Sequence, residues 1–103
     1  MEETITSYKR IRAVCIMDDI LKTVANRKAA PTAKDISEAV GVPKDTLMCY
    51  LATMQDRGYI TADGGSYRLG MANAVFWART KARLEADRAA IDDELKEIGV
   101  EES

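Results

Sequence analysis

Lys44, Asp45, Thr46, Met48, Cys49 and Thr53 fall within ten residues of one another and offer an ammonium, a carboxylate, two hydroxyls, a thioether and a thiol. That set can pair with an anion, exchange hydrogen bonds and make soft apolar contact. It is poorly equipped to break bonds. The chain has no histidine, which removes imidazole as base, acid or metal ligand and makes a zinc site with only Cys15 and Cys49 very hard to build. Asp18-Asp19 and Asp92-Asp93-Glu94 are adjacent on helical patterns, so their side chains diverge. Gly64-Gly65 is not followed by a helix and does not form a phosphate-binding loop, and no serine sits in a nucleophile motif. These features argue against an enzyme, and no cofactor or metal is expected.

The elements that must position these side chains are legible between Thr32 and Gly70. Pro31 cannot continue a helix, and Thr32-Ala33-Lys34-Asp35 then resembles a capping box. A short second helix follows, with Ile36, Ala39 and Val40 on its inner face, Gly41 at its end and Val42 beneath the turn. Pro43 at the first helical position opens a third helix over 43–57, in which Leu47, Tyr50, Leu51 and Met54 share one side. Packing that side inward presents Lys44, Asp45, Thr46, Met48, Cys49 and Thr53 outward. Gly58 closes the helix, and Tyr59-Ile60-Thr61 and Tyr67-Arg68-Leu69 carry strand-type residues around a turn at 62–66. Period two puts Tyr67 and Leu69 on one face of this hairpin and Arg68 on the other.

Before this stretch, Ile11, Val14, Met17, Leu21 and Val24 mark one face of a first helix from about Ser7, the reasonable cap, to Ala25, and Ile16 and Ile20 widen it. Lys9, Arg10 and Arg12 cluster at its first turns, where solvated charge is the simplest reading. After it, a helical pattern runs from Ala72 to about Ile98, on the order of 40 Å if unbroken. Trp77, Leu84, Ile91 and Ile98 recur every seven residues, but Lys81 and Arg88 in the companion positions prevent a clean coiled coil. Lys81 with Glu85, Arg83 with Asp87, Arg88 with Asp92 and Asp92 with Lys96 are spaced to pair along an exposed surface. The remaining apolar edge, Trp77, Leu84, Ile91 and Leu95, wants a partner, either the first helix or a second copy. Val100 to Ser103 are expected to fray.

The fold class expected is therefore mainly α with a small β-hairpin: a winged helix-turn-helix over 1–70 and a long helix over 71–103 that joins two copies. Such an arrangement holds one helix against double-stranded DNA. Of the 103 residues, the first 70 carry 10 basic and 9 acidic side chains and the remainder 5 basic and 8 acidic. A near-neutral reading domain must rely on a few placed cations rather than bulk attraction. Lys44, Thr46, Cys49 and Thr53 on the third helix, Lys34 at the start of the second, and Ser66 and Arg68 on the wing are the candidate contacts. Met48 and Cys49 could touch a thymine methyl or equally form a protein-binding patch. The alternative function is accordingly a winged-helix adaptor that binds protein and not DNA. The start of the chain lacks a secretory pattern and no apolar run approaches membrane-spanning length, so a cytoplasmic protein with two free thiols is expected. A redox role for Cys49 would need an exposed, low-pKa thiolate.

Asp19-Ile20-Leu21 with Val24-Ala25, the run Thr32 to Lys44, Leu51-Ala52-Thr53-Met54, Arg57-Gly58-Tyr59-Ile60 and Tyr67-Arg68-Leu69-Gly70 together resemble the amino-terminal winged-helix domain of the IclR family of bacterial transcription regulators. The resemblance covers residues about 8–70. It implies a dimeric, sequence-selective DNA binder whose third helix enters the major groove while the wing touches backbone or minor groove. Where that family usually has Ser-Thr and then His or Arg after Pro-Lys, this chain has Asp45-Thr46 and Met48-Cys49, so a guanine-reading cation is missing. The family's large effector-binding domain has no recognisable counterpart in these residues.

Overall fold

Ile16, Ile20 and Val24 lie four residues apart and turn one ridge of the first helix into the interior, where they are 6%, 0% and 6% exposed. The structure, a computed structural model, describes residues 8–99. Its elements in chain order are α1 (Arg12–Asn26), α2 (Ala33–Val40), α3 (Lys44–Asp56), β1 (Ile60–Asp63), β2 (Ser66–Leu69) and α4 (Met71–Glu97). The chain divides after Gly70 into two units. In the first, Ile36 of α2, Val42 of the turn, Leu47, Leu51 and Met54 of α3, and Ile60 and Tyr67 of the hairpin complete the core around the α1 ridge. The second is α4.

Helix α1 starts later than its periodicity suggests. Ser7 lies outside the described residues, and Lys9 and Arg10 precede the helix instead of occupying its first turns. Ile11 is the extended N-cap and supplies no side-chain cap. Tyr8 and Ile11 are 78% and 67% exposed, so apolar burial offers nothing to offset the entropy of ordering another turn. The inner stripe is also rotated from the expected one. Ile16 and Ile20 are its centre, Met17 and Leu21 its margin, and Val14 is exposed.

Helix α2 is set by contacts a few residues long. The Thr32 hydroxyl oxygen accepts from the Asp35 N–H at 3.2 Å, and the Asp35 carboxylate accepts from the Thr32 N–H at 3.0 Å. Gly41, at φ 78°, ends the helix and donates its N–H to the Ser37 carbonyl. The Ser37 hydroxyl then donates to the Val42 carbonyl at 2.6 Å and braces the turn. Ala39, expected on the inner face, is exposed; with so short a helix, Ile36 alone is fully buried.

These hydrogen bonds hold the Asp35 carboxyl below its ordinary pKa. A depressed folded-state pKa means that the cap's electrostatic support is complete near neutral pH and is lost as pH falls below about 4. Thr32→Ala should cost about 1 kcal/mol at pH 7, measured by urea denaturation. In the Asp35→Asn protein the stability attributable to this group should no longer fall between about pH 5 and pH 3. An unchanged profile would remove the cap from the account.

Pro43 is the N-cap of α3, one residue outside the helix rather than its first member. The helix ends in a Schellman motif: the Gly58 N–H donates to Gln55 at 3.0 Å and the Tyr59 N–H to Met54 at 2.9 Å, with Gly58 at φ 83°. The hairpin turn is shorter than expected. Gly64 and Gly65 both have positive φ, as a two-residue type I′ turn requires, so Ala62, Asp63 and Ser66 join the ladder. Tyr67 is buried, but Leu69, on the same face by register, is 41% exposed even though its cross-strand partner Ile60 is buried.

One pairing has no signature in the local sequence. Thr32 bridges Ser66, and the Tyr67 N–H donates to the Pro31 carbonyl at 2.9 Å. The segment leading into α2 is thereby latched to the wing. Helix α4 starts at Met71, holds 27 residues and buries none of them. Lys81–Glu85 and Arg83–Asp87 close at 2.8 and 3.2 Å, whereas Arg88–Asp92 and Asp92–Lys96 form no ion pair among the described residues. Val100 to Ser103 lie outside the described residues.

Candidate nucleic-acid interface

Because Leu47, Leu51 and Met54 are 0%, 1% and 3% exposed, the opposite side of α3 has no choice but to face outward. Lys44, Asp45, Thr46, Met48, Cys49 and Thr53 are all exposed. Their capacities differ. The Thr53 hydroxyl donates to the Cys49 carbonyl at 2.8 Å and retains only acceptor capacity, whereas the Thr46 hydroxyl has no hydrogen-bond partner among the described residues. Lys44 makes no ion pair among the described residues, so its ammonium is available to an anion. Asp45 lies in the first turn, where a carboxylate suits the helix dipole. Cys15 and Cys49 are both exposed free thiols.

A second group gathers at the wing. Lys34 is the second residue of α2 and exposed, and the Thr32–Ser66 bridge ties the start of that helix to β2. Ser66 is half-buried beside the turn, and Arg68 is exposed on the outer face with Thr61 and Asp63. The Arg68 Nε stands 3.9 Å from an Asp63 carboxylate oxygen, with both side chains about two-thirds exposed. A contact so loose and solvated is worth little and would yield to a phosphate. Arg27 and Lys28, which the sequence does not mark, line the same cleft as Arg68. The pairing of the 31–32 segment with β2 brings them there, and no short-range signal announces it.

The flank of α3 is different in character. An apolar groove of about 350 Å³ runs between α1 and α3, lined by Val14, Met17, Cys49, Tyr50 and Met54 among others. Among the described residues no group of His, Cys, Asp and Glu side chains could hold a metal ion. No described helix is long and apolar enough to cross a membrane.

Residues 19–64 match the family described as the IclR helix-turn-helix domain. This segment is an IclR helix-turn-helix domain. Solved structures with the same fold extend the likeness into the flanking residues. An IclR-family transcriptional regulator from Brucella abortus superposes with a TM-score of 0.65 at 18% identity, over 81% of this chain and 33% of that one. The repressor BlcR of Agobacterium tumefaciens gives 0.61 at 24% identity, over 68% of this chain and 28% of that one. An IclR-family transcriptional regulator from Rhodococcus sp. gives 0.60 at 27% identity, over 78% of this chain and 32% of that one. The chain thus spans about a third of the length of these proteins. No curated protein sequence matches it. Within the IclR-type domain, α2 and α3 are the helix-turn-helix and the β1–β2 hairpin is the wing.

Proposed function

We propose that this chain is a non-enzymatic, cytoplasmic transcription regulator that binds DNA sequence-selectively as a homodimer. In this reading α3 enters the major groove and the wing lies on the backbone or minor groove. The observation that carries it is the α3 face of an IclR-type domain, with Thr46 and Lys44 projecting, without a partner among the described residues, from a helix whose other side is core. Thr46 hydrogen-bonds a base edge or phosphate, Met48 and Cys49 give apolar contact to thymine methyl groups, Asp45 accepts from cytosine, and Lys34, Lys44, Ser66 and Arg68 position the backbone. Fluorescence titration against genomic fragments, at low and physiological salt, should find fragments preferred over random duplex. Lys44→Ala with Arg68→Ala should weaken binding by roughly tenfold or more. Equal affinity for all duplexes, unchanged in the double variant, would refute the proposal.

Homodimerisation is assigned to α4, whose Trp77, Leu84, Ile91 and Leu95 are 63%, 50%, 56% and 41% exposed. An apolar edge of four side chains on a helix with nothing buried is stabilised by a matching edge on a second copy. Light scattering should give about twice the 11.4 kDa chain mass, and truncation after Gly70 should lower it to that of a single shortened chain. A monomer at every concentration would remove this role from α4.

The apolar groove beside Cys49, together with Met48 at 41% exposure, favours a second reading, a protein-binding adaptor. Retention of one stoichiometric protein partner, lost on Met48→Asp, with no duplex binding would select it.

A further inference from the structure

Arg27 ends α1, Lys28 follows it, and Arg68 lies forty residues further on in β2, yet all three line one open cleft of about 250 Å³. Tyr67 lines it as well. It is a core residue, 8% exposed, and forms the inner wall of the cleft. Arg27 and Lys28 form no ion pair among the described residues, and Arg68 has only the loose contact to Asp63. Three exposed cations line the cleft with no carboxylate among its lining residues, which leaves them open to an incoming anion.

We infer that Arg27, Lys28 and Arg68 form a phosphate-binding cleft at the base of the wing, contacting the DNA backbone beyond the reach of α3. This deepens the DNA-binding reading and rests on it. The layout suits a backbone track. Lys34 follows the Thr32–Ser66 bridge at one end of β2, and Arg68 lies two residues along the strand from that bridge, about 7 Å. Arg27 and Lys28, lining the cleft with Arg68, add to this positive charge. A duplex presents a charge on each strand every 3.4 Å or so of its axis, so a row of this length meets several phosphates. The arrangement also resolves a difficulty of composition: a near-neutral domain can hold DNA if its cations are gathered on one side.

The test is fluorescence anisotropy of the full chain on a preferred genomic duplex, from about 50 to about 200 mM salt, for the wild type and for Arg27→Ala with Lys28→Ala. Both substitutions are at exposed positions, and matching thermal melts by circular dichroism establish that the variant is folded. The logarithmic salt slope should fall by about two units in the variant while the order of preference among duplexes is kept. Ethylation of flanking phosphates should block the wild type and leave the variant indifferent at one or two of those positions. Identical slopes and identical interference patterns, with the wild type binding DNA, would overturn the cleft and leave the DNA-binding reading standing. A wild type that binds no duplex would bring both down.

Discussion

Leu47→Ala should bring the IclR-type domain close to unfolding, with a loss of about 3 kcal/mol. Leu47 is fully buried in the first turns of α3, where it meets the core formed by Ile36, Val42 and Leu51. Truncation removes three heavy atoms and leaves a cavity that neighbouring helices fill only partly. A domain of this size has a total stability of roughly 5 kcal/mol, so more than half is at stake. The melting temperature should fall by more than about 10 °C, followed by far-ultraviolet circular dichroism. Under the proposed function, binding to DNA should weaken in parallel, because Thr46 and Lys44 keep their placement on α3 only while Leu47 is seated. Thr46→Ala is the contrasting case: stability should change by less than about 0.5 kcal/mol while affinity drops. A Leu47→Ala protein that melts with the wild type would mean that α3 is not anchored as described.

Gly70→Ala should be nearly as damaging for a different reason. A Cβ built there would collide with the Gly58 carbonyl oxygen and stand 2.9 Å from its carbon and 3.1 Å from the Ile60 nitrogen. All of these are backbone atoms. The Gly70 N–H is itself held by the Tyr59 carbonyl at 2.8 Å, and Gly58 is committed to the Schellman turn that ends α3. Neither side can give way without loosening the base of the wing, and the expected cost is about 2 kcal/mol or more. Limited proteolysis should then cut first within residues 58–70. At Gly65 the situation is reversed: a Cβ meets nothing within 4 Å, but φ is 89°. Gly65→Ala should therefore cost only the conformational penalty of about 1 kcal/mol. If the two variants were equally stable, the close approach of Gly70 to Gly58 would not be what holds the hairpin.

What was legible in the sequence was legible because its causes are short. The Thr32–Asp35 capping box, the Gly41 and Gly58 stops, and the Gly64-Gly65 turn each depend on atoms within a few residues of one another, so residue types and spacing suffice. The buried side of α3 was equally plain, since Leu47, Leu51 and Met54 repeat at helical spacing. The same short-range reasoning misjudged the edges of elements. It started α1 too early, because Ile11 satisfies the periodicity but finds nothing to pack against. It shortened the strands, because Ala62 and Asp63 have weak strand preference and are held there by cross-strand hydrogen bonds.

The sequence by itself thus determined which segments become helices and hairpin and which face of the third helix is turned away from the core. Only the tertiary structure decided where those segments touch: the bridge from Thr32 to Ser66, the exposure of Ala39 and Leu69, the groove beside Cys49, and the meeting of Arg27 and Lys28 with Arg68. The physical reason is range. Caps and turns are stabilised by neighbours along the chain, whereas the surface of a DNA-binding domain is set by which distant side chains the closing of long loops brings together.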